Sequence, residues 1–197
     1  GIDPGAYGFK PEIAWNMGLN FVQKFRLNYR DGSFAMDYYY TDFQNQVMVD
    51  IESPGEVRFY NLNGRSFAHS FQAQLDYEPI RRWDVRVAYR FYRVRADYAG
   101  TLKEKPLVAA HRAFLNTGYE TRNHWKLYYT LQWTGAKRVP AYFMDQQTME
   151  ESYSPAFFQM NAQISKSWKD GDVEVYVGGE NLTNYMQPKL ILGAEHP

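Results

Sequence analysis

Trp125-Lys126-Leu127-Tyr128-Tyr129-Thr130-Leu131-Gln132-Trp133-Thr134 is the stretch on which the fold turns. Side chains of a strand point alternately to its two faces. Trp125, Leu127, Tyr129, Leu131 and Trp133 therefore make an apolar face, and Lys126, Tyr128, Thr130, Gln132 and Thr134 a largely polar one. The tryptophans bounding the apolar face span roughly 27 Å of strand. Tilted by ~40°, that is about 20 Å of height, close to the ~25 Å apolar band of a membrane barrel.

The pattern repeats through the chain. Ile13, Trp15, Met17, Leu19 and Phe21 oppose Glu12, Ala14, Asn16, Gly18 and Asn20. Phe34, Met36, Tyr38 and Tyr40 oppose Ala35, Asp37, Tyr39 and Thr41, with a less regular continuation over 42–49. Phe67, His69, Phe71, Ala73, Leu75 and Tyr77 oppose residues such as Ser70, Gln72, Gln74 and Asp76. Trp83, Val85, Val87, Tyr89 and Phe91 oppose Asp84, Arg86, Ala88, Arg90 and Tyr92. Residues 110–120 alternate too, with Phe114 interrupting, and so do 158–165 and 173–178. About eight strands with almost no helical periodicity predict an all-β, antiparallel, up-and-down arrangement.

Connections alternate in length. Short ones are expected at 26–32 (turning at Asp31-Gly32), 78–82, 121–124 and 169–172 (Asp170-Gly171). Longer ones are expected at 51–57, 98–108 and 135–154. In a meander all short turns then share one rim, as the periplasmic turns of outer-membrane barrels do. Tyr77, Trp83, Tyr119, Trp125 and Trp168 gather at that rim, where a membrane–water interface would hold amphipathic rings. A soluble β-sandwich or barrel also alternates, with the apolar face as its core. Loop asymmetry and the aromatic rim favour the membrane barrel.

Composition sets the outer bounds. The 197 residues carry 22 basic and 22 acidic side chains, so no general charge attracts nucleic acid. No apolar run approaches the ~20 residues of a spanning helix. Cysteine is absent, which excludes disulfides and thiolate metal sites. His69, His111, His124 and His196 are scattered; with no phosphate loop and no serine elbow, no catalytic constellation, cofactor site or metal site is assigned. His69, on the apolar face, reads as an interfacial or packing residue. Asn181-Leu182-Thr183 matches a glycosylation sequon but reads as strand-end sequence. The polar set Asp76, Asp84, Arg86, Arg90, Arg112, Lys126 and Glu174 suggests a charge-paired lumen wall. In the longest loop Arg138, Tyr142, Phe143 and Tyr153 are candidate ligand contacts, and Met144, Met149, Glu150 and Glu151 lie among them.

Tyr60-Asn61-Leu62-Asn63-Gly64 and the run to Tyr77 and Pro79 resemble a barrel segment of TonB-dependent outer-membrane receptors. Pro11-Glu12-Ile13-Ala14-Trp15-Asn16-Met17-Gly18 resembles an upstream strand entry of that family, and Val175 to Tyr185 its near-terminal strand. The resemblance covers about residues 11–185. It implies a barrel of about 22 strands closed around an N-terminal plug. Residues 1–197 would be the C-terminal portion, without the plug or the final strand. It further implies a transporter rather than an enzyme, in the Gram-negative outer membrane, taking up a scarce nutrient such as a siderophore, corrinoid, haem, metal complex or glycan. Its partners would be outer-membrane lipid, the rest of the barrel with its plug, the TonB complex acting through that plug, and a surface lipoprotein. Alternatives are a small independent outer-membrane barrel with an anchoring role and a soluble β-rich binding module.

Overall fold

A computed structural model describes residues 8–53, 56–140, 152–168 and 172–186. Eight long strands form one antiparallel meander: β1 (Ile13–Leu27), β2 (Arg30–Asn45), β5 (Ser66–Ile80), β6 (Trp83–Tyr98), β8 (His111–Glu120), β9 (Trp125–Thr134), β12 (Phe157–Trp168) and β13 (Val173–Gly179). Between them lie short strands: β3 (Val47–Asp50) pairs with β4 (Arg58–Asn61), β7 (Thr101–Glu104) with β6, and β10 (Arg138–Val139) with β11 (Ser152–Tyr153). β1 and β13 end the sheet and do not pair with each other, so it is open. No helix among the described residues is long and apolar enough to cross a membrane, which says nothing of strands.

The register carries the alternation across the whole sheet. Phe34, Leu75, Val87, Leu115, Leu131 and Met160 are successive cross-strand partners, one unbroken apolar row. One residue along, Ser33, Asp76, Arg86, Asn116, Thr130 and Asn161 form a polar row on the other face. A one-residue slip in any pairing would mix the two, so the pattern itself fixes the register.

The two faces differ in crowding. The least exposed positions of the sheet, Ser66, Ala68, Ala88, Val94, Ala96, Tyr98 and Ser165, all lie on the polar face. Val87 and Leu127 on the apolar face stay 44% and 45% exposed. Crowding on the polar face marks it as the concave one. The apolar residues therefore do not form a sealed interior.

Aromatic spacing recurs strand by strand. Trp83 and Phe91, Tyr119 and His111, and Trp125 and Trp133 are each eight residues apart on the apolar face. At the turn end Tyr77 donates its hydroxyl to the Leu27 carbonyl at 3.1 Å, and Trp83 its indole N–H to Thr117 Oγ1 at 2.7 Å. Lys166 places its ammonium 5.5 Å from the Trp125 ring centroid and 5.8 Å from that of Trp168. At the loop end Tyr38 and His69 share a 2.8 Å hydrogen bond, and Tyr89 and His111 one of 2.7 Å. His69 thus packs among Tyr38, Tyr40 and Phe67.

Two expectations need correction. The first hairpin turns at Asn28-Tyr29, both at positive φ (49° and 59°), and Asp31-Gly32 lie inside β2. Asn accepts the left-handed conformation, and positive φ at both central residues is what a two-residue hairpin of primed type requires. Gly32 serves packing instead: the ring of its cross-strand partner Phe25 fills the space where a side chain would stand. The irregular 42–49 segment is a break at Gln46, where the chain leaves the sheet to form β3. Phe114 belongs to the concave face, opposite Ala88 and Gln132. The Asp170-Gly171 turn lies outside the described residues.

Glycine–aromatic pairing recurs at Gly18 with Tyr39 and at Gly118 with Tyr128, each a direct cross-strand pair. An aromatic ring laid across a strand glycine restores the contact area the glycine lacks. A Cβ on Gly118 would stand 2.9 Å from a Tyr128 ring carbon. Gly118→Val should therefore displace the ring and cost about 1–3 kcal/mol, measured by denaturant unfolding of the whole protein refolded in detergent.

Candidate functional site

The loop end of the sheet gathers the structure that a meander alone does not require. At Gln46 the chain departs from β2, runs through the β3–β4 hairpin, and returns with the Leu62 N–H donating to the Gln46 carbonyl at 2.7 Å. Gln46 also accepts from the buried Ser66 hydroxyl at 2.9 Å. Residues before β1 brace the hairpin. The Lys10 N–H donates to Asn61 Oδ1 at 2.9 Å, and the Val47 N–H to Glu12 Oε1 at 3.1 Å.

Alternation gives this hairpin two faces. Met48 is buried and packs with Tyr60 and Leu62 against Ala96 and Tyr98 of β6. Ala96 and Tyr98 belong to the concave face, so the hairpin leans inward over the mouth of the sheet. On the hairpin's other face Val49 and Phe59 are paired and exposed, with Val57 beside them.

Below the hairpin a single guanidinium joins three connections. The Arg138 side chain is 1% exposed and is gripped by both carboxylate oxygens of Glu52, one contact being 3.1 Å. Its Nε donates to the Glu104 carbonyl at 2.6 Å. Lys103 Nζ lies 3.7 Å from the same Glu52 carboxylate, and the Tyr98 ring centroid 5.9 Å from the Arg138 guanidinium carbon. The Leu107 N–H donates to the Arg138 carbonyl at 2.9 Å, and Ala109 bridges to Lys137. The connections at 46–62, 99–110 and 135–140 are thus held as one body.

Burial pushes the Tyr98 phenol up to about 12, against the opposing pull of the Arg138 charge. Tyr60 is pushed up to about 12 as well, first by burial and then by the hydrogen bond it donates to Asp50 Oδ2 at 3.0 Å.

Of the candidate ligand contacts, Arg138 is turned into the protein, while its cross-strand partner Tyr153 is 53% exposed. Tyr142 and Phe143 lie outside the described residues, as do Met144, Met149, Glu150 and Glu151. Sequence reasoning missed Glu52, Tyr98 and the hairpin faces. The visible signal was the alternation of Val47, Met48 and Val49 against Phe59 and Tyr60 about Ser53-Pro54-Gly55. Among the described residues no group of three or more histidines and carboxylates is placed to hold a metal ion.

The concave wall is only partly charge-paired. Arg86 Nε meets Asp76 at 2.5 Å, and Gln74 donates to the same carboxylate at 2.7 Å. Lys126 lies 3.4 Å from Glu174, which also accepts from the Ser165 hydroxyl at 2.7 Å. Arg90 and Arg112, by contrast, stand directly opposite each other.

The family model described as TonB dependent receptor-like, beta-barrel matches residues 2–182. Among solved structures, the closed form of the ferric-catecholate import receptor Fiu from K12 E. coli superposes with a TM-score of 0.63 at 14% identity, over 94% of this chain and 25% of that one. The FpvAI–pyocin S2 complex matches with a TM-score of 0.66 at 14% identity, over 89% of this chain and 24% of that one. No curated protein matches the sequence. At such identity the likeness is one of fold, and the chain spans about a quarter of the length of these structures.

Glu52→Gln should cost about 1.5–3 kcal/mol, because it removes the charge-assisted contacts that the Glu52 carboxylate makes to the buried Arg138. Hydrogen exchange of the hairpin and of β7 reads the loss. The neutral Tyr98 and Tyr60 phenols contribute fully to stability below about pH 10, and that contribution is lost as pH rises toward 12. Difference absorbance between the parent and Tyr98→Phe should accordingly show no Tyr98 tyrosinate at about pH 10.

Proposed function

Because the chain belongs to the TonB-dependent receptor-like β-barrel family, we propose that it forms the C-terminal wall of an outer-membrane receptor importing a scarce nutrient. In this reading β1 joins earlier strands of the same barrel and β13 a later one. The concave polar face looks onto the lumen and its plug. TonB energises import through that plug, and a surface lipoprotein is an additional partner. The cell is Gram-negative, and no covalent chemistry is needed: loops capture the ligand and rearrangement of the plug admits it.

The observation that carries this proposal is the coincidence of an exposed, convex apolar face with aromatic residues set eight apart on successive strands. An exposed apolar surface of this extent needs a nonaqueous neighbour. Tyr77, Trp83, Tyr119, Trp125 and Trp168 would then ring the periplasmic interface, and Phe91, His111 and Trp133 the outer one. A ring with a hydrogen-bonding edge favours that boundary, and Lys166 beside Trp125 and Trp168 can reach water from it. At the mouth, Val49, Phe59 and Tyr153 offer apolar and aromatic surface to the ligand, on loops that Arg138 holds together.

Expressed as the whole receptor, the protein should fractionate with the outer membrane and show the heat-dependent gel shift of a folded barrel. Recovery as a detergent-free monomer with cooperative unfolding would overturn the proposal. Leu115, midway between Tyr119 and His111, should tolerate arginine poorly: Leu115→Arg should cost about 2–4 kcal/mol in lipid vesicles. Leu127→Arg, one outward position from Trp125, should cost less.

A further inference from the structure

Ala162 and Gly179 are cross-strand partners on the convex face, in the same row as Tyr129. The rows on either side carry larger side chains: Leu127, Ile164 and Val177 toward the turn rim, Leu131 and Met160 toward the loops. Two small neighbours between larger ones leave a depression. A hollow of about 510 Å³ opens there, lined chiefly from the convex face and walled by Trp83, Tyr119, Leu127, Tyr129, Ile164 and Val177. Leu182, packed against Gly179, borders it as well. Tyr129 and Ala162 lie on β9 and β12, strands that are paired on both flanks, and the concave wall is on the other side of the sheet.

The chemistry of the hollow is that of hydrocarbon. No charged residue lines it. The Thr117 hydroxyl accepts from the Trp83 indole at 2.7 Å and donates to the Asp84 carbonyl at 3.0 Å. The Tyr129 hydroxyl donates to Met160 Sδ at 3.0 Å. Both hydroxyls are thus satisfied before any occupant arrives. Within a membrane an apolar surface gains from packing rather than from leaving water, and a hollow surrounds a chain on more sides than a flat strand face does.

A cation stands at the turnward end. Lys166 is the next convex position after Ile164 on β12, about 7 Å nearer the rim. Its ammonium lies 5.5 Å from the ring centroid of its cross-strand partner Trp125 and 5.8 Å from that of Trp168. One of its three donors goes to the Asn123 carbonyl. The rings and the carbonyl fix the charge at the boundary without neutralising it. Hydrocarbon with a fixed positive charge just above it matches the order of parts in a phospholipid, whose phosphate adjoins its acyl chains. A zwitterionic headgroup brings its own cation to the phosphate, whereas an anionic one leaves the phosphate to the lysine.

On the receptor reading above, which sets this rim at the periplasmic interface, we propose that the hollow and Lys166 form one site for an anionic glycerophospholipid. An acyl chain occupies the hollow and the phosphate meets the ammonium. The bound lipid completes the apolar belt across β8, β9, β12 and β13.

The test is native mass spectrometry of the whole receptor, released from detergent after incubation with equimolar phosphatidylglycerol and phosphatidylcholine of the same chains. The most tightly held lipid of the parent should be phosphatidylglycerol. Lys166→Gln should reduce that preference about fivefold, and Lys166→Arg should restore most of it. Ala162→Phe, which fills the hollow and leaves the lysine in place, should weaken retention of both lipids about threefold or more. Equal retention of the two lipids by the parent overturns the proposal, as does an undiminished preference in Lys166→Gln or unchanged retention in Ala162→Phe. A receptor dimer that Ala162→Phe dissociates overturns it too, because the occupant would then be a second copy. Outer-membrane fractionation and the gel shift are scored on the same samples, so a folded barrel without the lipid preference is separable from a failed receptor reading.

Discussion

The structure depends on pairing every long strand with its neighbour in sequence. In hydrocarbon an unpaired amide has no water to fall back on, so the ladder must be complete wherever lipid touches it. A meander satisfies this with the shortest connections, and it leaves the side chains free to serve two solvents at once. The apolar row through Val87 and Leu115 and the polar row through Arg86 and Asn116 are neighbours along each strand, yet they lie on opposite faces of the sheet. Average hydropathy therefore says little about such a chain, because its two halves cancel.

The two ends of the sheet are built differently because they do different work. At one rim two-residue or four-residue turns reverse the chain and aromatic rings close the apolar face. At the other, the chain repeatedly leaves the sheet, and here the one fully buried charged side chain among the described residues, that of Arg138, is found. A guanidinium removed from water is tolerated only when its donors are matched, and Glu52 with the Glu104 carbonyl supplies that match for Arg138. Arg90 and Arg112, lower on the open wall, are exposed instead.

Much of this was legible in the residues. Period-two alternation identified all eight long strands, and β9 was placed at Trp125–Thr134 to the residue, because a pattern with two faces tolerates no slip. The alternating loop lengths gave the two rims. Local turn chemistry misled at Asp31-Gly32, where a glycine suited to turning is instead covered by Phe25. Arg138 was read as a ligand contact because a loop arginine among aromatics is usually exposed. Its partner Glu52 lies far away in sequence, and no local spacing announces a pair of that kind. The inward lean of the β3–β4 hairpin was hidden for the same reason, since Met48 finds Ala96 and Tyr98 only in three dimensions.

The shared guanidinium also limits how such a mouth can diversify. Surface loops usually exchange between relatives with little penalty, because each stands alone on its scaffold. Here a segment transplanted into 46–62 without a carboxylate equivalent to Glu52 would arrive with a charge already waiting beneath it. Recombination and design should therefore treat the three segments as one cassette. Variation is freer at the tips, around Val57 and Phe59, than at their roots.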